Sequence, residues 1–190
     1  MEFYSHARVD ENQQKEGSKK LKTHLLRVNE IAAQNFYPGV HFQLSEKQLY
    51  QLLEDICKFH DLGKYTSYFQ NYLLDREKVS PDMKKHSRIG AYCLANKHAD
   101  EQFKLALLGY FCVVSHHGNL KNIRETEFFG ETGKEIYEKR FNDQKADLNT
   151  KLEQIKNDLE IPDLHAWLHF PDYRCFRKTI KKILRQESTI

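Results

Sequence analysis

The chain has 190 residues, of which 39% are hydrophobic and 30% charged, and its formal net charge is +3 with neutral histidines. This length and composition predict one soluble globular domain over residues 1–190. They exclude a membrane protein, because no apolar run approaches the roughly 20 residues that span a bilayer. The mildly basic charge is compatible with a nucleic-acid partner without requiring one.

The start of the chain and its cysteines both favour the cytoplasm. Met1–His6 contains no basic stretch followed by an apolar segment, so the sequence predicts no secretory signal. The cysteines stand singly, without a C-x-x-C pair, and are predicted to be reduced and mostly buried. They are Cys57, Cys93, Cys112 and Cys175.

The first half of the chain predicts three helices. Apolar residues recur every three or four positions from residue 21 to 36, which is the spacing of one helix face. Ser45 and Gln48 form a capping-box pattern at the start of a second helix that runs towards His60. Gly63 is expected to end that helix in a left-handed conformation. A short amphipathic helix is predicted over residues 66–74, before the break at Ser80-Pro81-Asp82.

The second half is also predicted to be helical. Helices are expected over about 86–97 and 100–116, the latter apolar enough to be central, with Gly118 as its left-handed terminator. Residues 131–160 are highly charged and predict a long exposed helix or helical insertion, which Pro162 stops. The basic segment 173–184 predicts a solvated helix face, and the alternative is a surface that binds DNA. Nothing alternates long enough for a sheet, so the predicted fold class is all-α.

Five imidazoles and one carboxylate predict a metal site assembled from separate segments. They are His24, His60, Asp61, His86, His116 and His117. Successive residues on a helix point about 100° apart, so adjacent ligands can serve one cluster only near a helix end. Both doublets meet this condition, because each precedes a glycine. Helix C-termini also favour a nearby cation.

This set of ligands also indicates the kind of metal. Imidazole with carboxylate suits manganese, nickel, cobalt, iron or zinc better than magnesium or calcium. A single carboxylate among five imidazoles predicts that Asp61 is a shared ligand, and the site is expected to hold one or two divalent ions. A pair about 3.5–4 Å apart could activate water and hold a phosphoryl group. The simpler alternatives are solvated helix ends for the doublets, a buried structural histidine for His24, and an N-cap role for His86.

Four sequence runs resemble the HD metal-dependent phosphohydrolases, and more narrowly the HD nuclease domain of the CRISPR-associated type I nuclease-helicase. They are Leu21–Leu25, His60–Tyr65 followed by Phe69 and Gln70, His86–Ala91, and Ser115–Gly118. The opening Tyr4–Ala7 is also similar. The resemblance covers roughly residues 4 to 120, and it implies an HD helical bundle around a central metal site.

The resemblance implies a role for each site residue. The first metal would be held by His24, His60 and Asp61, and the second by Asp61 as a bridge with His86, His116 and His117. Lys64 would contact the scissile phosphate, although an exposed lysine without a role is the simpler interpretation. His6 could support the site from outside.

The resemblance also implies an activity and partners. The reaction would be hydrolysis of DNA, chiefly single-stranded, with a helicase domain or subunit and an RNA-guided surveillance complex as partners. A nuclease needs basic residues flanking the metals, and the candidates are Lys84, Lys85, Arg88, Lys121 and Arg124. Two alternatives stay open: a phosphohydrolase of nucleotides or cyclic nucleotides, and a catalytically incomplete module that docks a partner.

The sequence departs from the family pattern in one respect. The family's first metal takes a further Asp from a late helix, in a context resembling Ser-x-Leu-x-x-Ala-Asp-Arg, and this chain has no such run. Asp163 and Asp172 follow prolines in loop-like contexts and do not match. We therefore expect a fragment that lacks the late helix and the helicase, with a weakened first site.

Overall fold

The computed structural model describes residues 2–37, 44–99, 103–119, 134–169 and 178. A β-hairpin precedes the helices in this part of the chain. The elements in order are β1 (Tyr4–Val9), β2 (Lys15–Lys20), α1 (Leu21–Gln34), α2 (Glu46–Phe59), a 3-10 turn (Leu62–Tyr65), α3 (Ser67–Leu73), α4 (Ser87–His98), α5 (Phe103–Val114), α6 (Lys134–Asn149), α7 (Leu152–Leu159) and α8 (Leu164–Trp167). The predicted helical fold class is confirmed, and α1 to α5 lie where the sequence predicted helices.

The start of α2 forms as its sequence predicts. The Ser45 hydroxyl accepts a hydrogen bond from the Gln48 amide at 3.3 Å, and the Ser45 amide donates to Gln48 Oε1 at 2.8 Å. This reciprocal capping satisfies amides that the first turn leaves without helical partners. It fixes the beginning of the helix whose other end carries His60.

The prediction that the chain contains no sheet is wrong. β1 and β2 pair antiparallel, and the Asp10 carboxylate orders their connection by accepting from the amides of Asn12 at 2.9 Å and Gln14 at 2.7 Å. β2 has no apolar side chain that could have produced an alternating pattern. Its strand structure therefore depends on backbone pairing, which hydrophobic periodicity does not report.

The prediction of an exposed helix over 131–160 is also wrong for the described residues 134–160. Two helices lie there, and four of their sparse apolar residues are buried in the main core, namely Phe141, Leu148, Ile155 and Leu159, whereas Ile136 is exposed. Some charged side chains tie them to α3: Asp147 Oδ2 accepts from the Ser67 amide at 2.6 Å and from Lys151 Nζ at 2.7 Å. Despite their high charge, α6 and α7 are therefore part of the packed fold.

α4 contributes more residues to the core than any other element, and it packs against α2 and α5. Gly90 allows α4 to approach the end of α2, since a Cβ there would lie 2.0 Å from the carbonyl oxygen of Phe59. The same two helices share a buried carboxylate, Asp55, which contacts Lys97 Nζ at 2.5 Å and His98 Nε2 at 2.9 Å. Those two partners outweigh burial and lower the pKa of Asp55. The crossing is therefore set by both close backbone approach and a paired buried charge.

The described cysteines are free, and none of the described helices is long and apolar enough to cross a bilayer. Cys57 and Cys93 are buried and Cys112 is partly buried, as predicted, whereas Cys175 lies outside the described residues. Burial raises the pKa of Cys57 to about 11. At neutral pH this thiol is protonated and poorly nucleophilic.

Gln70 anchors the hairpin to the helical body. Its side-chain amide nitrogen donates to the carbonyls of Tyr4 at 2.9 Å and Lys64 at 2.8 Å, and its oxygen accepts from the Tyr4 amide at 3.1 Å. Gln70 is only 6% exposed. One side chain therefore joins β1, α3 and the 3-10 turn that follows Asp61.

We expect Gln70→Ala to lower the free energy of unfolding by about 1–3 kcal/mol, because it leaves buried backbone groups without partners. Urea denaturation followed by circular dichroism would measure this. Gln48→Ala, which removes a partly exposed capping glutamine, is the control and should cost less. Equal effects of the two substitutions would contradict the anchoring role of Gln70.

Candidate metal centre

Asp61 lies at the centre of the site, between the end of α2 and the 3-10 turn, and is 1% exposed. Its Oδ2 atom faces two imidazoles, with His24 Nε2 at 3.2 Å and His60 Nε2 at 3.4 Å. His24 projects from the first turn of α1, and His60 caps the C-terminus of α2. These three residues form one compact group of possible metal donors.

The other carboxylate oxygen faces a second group of imidazoles. Asp61 Oδ1 lies 3.2 Å from His86 Nε2 and 3.5 Å from His116 Nε2. His117 completes this group, with its Nε2 atom 2.9 Å from His86 Nε2. The structure thus brings all six predicted ligands together, in two groups of donors that meet at one carboxylate.

Gly63 and α6 position His86. A Cβ on Gly63 would lie 2.3 Å from the His86 carbonyl oxygen, so only glycine lets the turn pass so close to this backbone. From the other side, the buried Gln144 donates to the carbonyls of Met83 and Lys85, each at 3.0 Å. The segment just before α4 is therefore held on both sides.

The prediction that Gly63 and Gly118 are left-handed helix terminators is wrong. Neither has a φ in the left-handed region. After Phe59 the backbone stays right-handed at His60 and tightens into a 3-10 turn. Gly63 is required for close approach rather than for its φ angle, while Gly118 has open space around it.

Two imidazoles have tautomers that suit metal binding. Nδ1 of His60 lies 2.9 Å from the Cys57 carbonyl oxygen, and Nδ1 of His116 lies 2.6 Å from that of Val113. A carbonyl can only accept, so each Nδ1 is assigned the proton. Each ring then turns its Nε2 atom towards Asp61, as metal-bound histidines commonly do.

The polar atoms at the centre fit a bound cation. Among the buried side-chain atoms without a hydrogen-bond partner are Asp61 Oδ1, His116 Nε2 and His24 Nδ1. Two of these, Asp61 Oδ1 and His116 Nε2, face each other across 3.5 Å. Unpaired buried acceptors are costly, and a cation between them would satisfy both.

The protonation states of Asp61, His86 and His117 also suit metal binding. Burial opposes ionisation of Asp61, but the surrounding imidazoles outweigh it and hold the pKa of Asp61 below its usual range; they are those of His116, His24, His60 and His86. Burial and the nearby His116 lower the pKa of His117 to about 4. Burial also lowers the pKa of His86. At neutral pH the carboxylate is ionised and these two imidazoles are neutral, which are the forms that bind metal.

Lys64 is buried, so its interpretation as an ordinary exposed lysine is wrong. It is 6% exposed, and its Nζ lies 2.9 Å from Asp61 Oδ2. The ammonium group also lies 5.4 Å from the centre of the Phe69 ring. Lys64 therefore places a positive charge on the carboxylate oxygen that faces His24 and His60.

The surroundings of the first group contain His6 but no additional carboxylate among the described residues. The His6 ring lies 5.5 Å from that of His24, and its Nδ1 is 2.9 Å from the Ser5 hydroxyl. Asp163 is exposed at the start of α8 and does not join the site, while Asp172 lies outside the described residues. The hairpin that carries His6 is the part of the surroundings that the sequence patterns missed.

The predicted nucleic-acid contacts are only partly described. Lys84 Nζ lies 4.2 Å from the centre of the Tyr72 ring, and the Arg88 guanidinium lies 4.6 Å from that of Tyr137. Lys85 is exposed and pairs with Asp82 at 2.7 Å. Lys121 and Arg124 lie outside the described residues. The three described cations therefore lie within two residues of His86 in the chain.

A family model described as "Cas3, HD domain" matches residues 7–171. This range contains all six candidate ligands and Lys64. Comparison with curated proteins gave no match, and comparison with solved structures gave none.

Proposed function

The chain belongs to the family of Cas3 HD domains, and we propose that it is a nuclease that cleaves single-stranded DNA in type I CRISPR interference. The HD superfamily comprises metal-dependent hydrolases, so the general class follows from membership. The observation that supports a two-ion phosphodiesterase is the division of Asp61, whose two oxygens face separate groups of imidazoles.

We assign the ligands from this division. His24, His60 and Asp61 Oδ2 would hold the first ion, and Asp61 Oδ1 with His86, His116 and His117 the second. A transition metal such as manganese, nickel, cobalt or iron fits these donors better than magnesium. Divalent metals supply Lewis acidity towards phosphoryl oxygens and activate water for attack.

The remaining residues bind and orient the substrate. The Lys64 ammonium lies beside the shared carboxylate and would contact an oxygen of the substrate phosphate. Its fixed positive charge would stabilise the negative charge that develops on that oxygen during hydrolysis. Because the carbonyls of Cys57 and Val113 fix His60 and His116, the donors are preorganised. His117 is exposed, so the centre is accessible from its side to a polymer strand.

The test is metal-dependent cleavage of circular single-stranded DNA beside a cyclic nucleotide. The protein is stripped with a chelator, and manganese, nickel, cobalt, iron or magnesium is added singly. We expect a transition metal to restore cutting of the circle, which has no ends and so reports endonuclease activity. Hydrolysis of the cyclic nucleotide alone would replace the proposal with a nucleotide phosphohydrolase. Metal binding with no hydrolysis of either would favour a docking module.

The cellular setting is also part of the proposal. Membership of this family supports a helicase domain or subunit and an RNA-guided surveillance complex as partners, with the strand delivered by the helicase. Residues 1–190 would act as a single nuclease domain in the cytoplasm. Copurification with a helicase and a guide-bound complex would test this setting.

A further inference from the structure

We propose that Tyr72 and Lys84 form a base-binding subsite, in which the Tyr72 ring stacks on a nucleobase beside the scissile phosphate and Lys84 binds the adjoining phosphate. This inference rests on the proposed function and says how the site would hold a single strand of DNA, by one base and the adjoining phosphate. A stacked base would orient the strand without selecting its sequence, because every base presents a flat face.

A continuous series of aromatic rings connects Tyr72 to the metal centre. The His86 ring contacts the buried Phe69 ring, with centroids 4.8 Å apart, and Phe69 contacts Tyr72 at 6.1 Å. Tyr72 is 43% exposed at the outer end of this series. Two ring contacts therefore separate an exposed aromatic face from a proposed ligand, which places a stacked base close to the reacting phosphate.

A cation accompanies the exposed ring. Lys84 Nζ lies 4.2 Å from the centre of the Tyr72 ring. Within the described part of the chain Lys84 has no ion-pair partner, whereas its neighbour Lys85 pairs with Asp82. An exposed ring with an ammonium group over one of its faces offers partners for both parts of a nucleotide, the other face for the base and the ammonium for the phosphate.

Tyr72 also forms one wall of a groove between α3 and the hairpin. The groove has a volume of about 250 Å³ and is lined by Ala7, Arg8, Val9, Lys15, Tyr72 and Leu73. Its floor is mostly apolar and its rim carries two further cations. Arg8 pairs with Glu16 at 2.6 Å and Lys15 with Asp75 at 3.8 Å, both on the exposed surface. Such exposed pairs are weak and exchange readily for a phosphate.

The shape and charge of this groove favour a nucleotide over a protein partner. Its volume is below the roughly 300–1,000 Å³ of ordinary ligand pockets, so it holds one flat group rather than a helix of another protein. Arg8 and Lys15 line it from the two strands of the hairpin, and Lys84 lies over the Tyr72 ring that forms its wall. A single exposed tyrosine needs no explanation, but here a cation, a groove and a ring path to the ligands coincide.

The inference is tested by binding of fluorescent oligothymidylates, measured by anisotropy at low salt without added metal. One oligomer is intact and another lacks a base at a single position, which removes the stacking partner and keeps the phosphates. We expect the parent protein to bind the best-placed abasic oligomer about tenfold more weakly than the intact one. Tyr72→Ala should bind both equally, and Tyr72→Phe should restore the discrimination.

Two controls make the result specific. Tyr50→Ala removes a tyrosine of similar exposure, 45%, from the far end of α2 and should keep the parent's discrimination. Lys84→Ala should weaken both oligomers and reduce the salt dependence of binding. Discrimination that persists in Tyr72→Ala, or a parent that never discriminates, would overturn the subsite. Because this assay needs no hydrolysis, its failure is distinguishable from failure of the nuclease proposal, which the circular substrate tests.

Discussion

Asp61→Asn is expected to weaken the binding of both metal ions at once, whereas His24→Ala is expected to weaken mainly the binding of the first. The two oxygens of Asp61 face different imidazole groups, so one neutral amide removes the negative donor from each. Loss of a hydrogen-bonded supporting group around a metal typically costs 10- to 100-fold in affinity. Loss of a shared ligand should cost at least about 100-fold at each ion. Calorimetric titration of the stripped protein would measure both affinities, and DNA cleavage should fall with them.

The effect on folding must be separated from the effect on metal binding. Asp61→Asn leaves the Lys64 ammonium buried without its carboxylate, which is expected to cost about 3–5 kcal/mol of unfolding free energy. Combining Asp61→Asn with Lys64→Met removes both charges, so most of that stability should return while metal binding does not. Parent-like affinity at both ions in a folded Asp61→Asn protein would exclude the shared carboxylate.

Gly63→Ala is expected to displace His86 and to lower the affinity for the second ion more than the affinity for the first. The added Cβ would lie 2.3 Å from the His86 carbonyl oxygen and 2.7 Å from its Cα, so backbone rather than a flexible side chain must move. Overpacking of this kind costs about 1–3 kcal/mol of stability. Urea unfolding without metal would measure that cost, and titration would measure the affinity of each ion.

Gly118→Ala is the matched control, because it also adds one methyl group beside a proposed ligand. No heavy atom lies within 4 Å of a Cβ there, and its φ is outside the left-handed region. We expect its stability to change by no more than about 0.5 kcal/mol. If the two alanine variants behaved alike, close approach at Gly63 would not be what positions His86.

The sequence predicts which candidate ligands lie together better than it predicts what holds them in place. Histidine and aspartate are chemically distinctive, so the doublets at His60 and His116 stand out from their surroundings. Gly63 also stands out, but its neighbour across the turn is the backbone of His86, 23 positions later in the chain. A sequence pattern reports the residue and not that contact, so the pattern predicts helix termination instead.

Polar residues caused the other errors. Charge dominates residues 134–160 and predicts a solvated surface, yet Asp147 and Lys151 form hydrogen bonds with Ser67 while Phe141 and Ile155 fill the core. The hairpin was missed because its attachment depends on the side-chain amide of Gln70 and on backbone pairing. Hydrophobic periodicity has no term for either kind of interaction.

The position of Lys64 bears on the order in which this domain folds and acquires metal. Small zinc modules need their ion to fold, because nothing else neutralises or organises the ligands. Here Lys64 already compensates the Asp61 charge from within the chain. Folding should therefore be complete before any ion arrives, and a metal ion would bind to a site whose ligands are already in place. Activity can then follow the metal supply of the cell without the protein being lost when that supply fails.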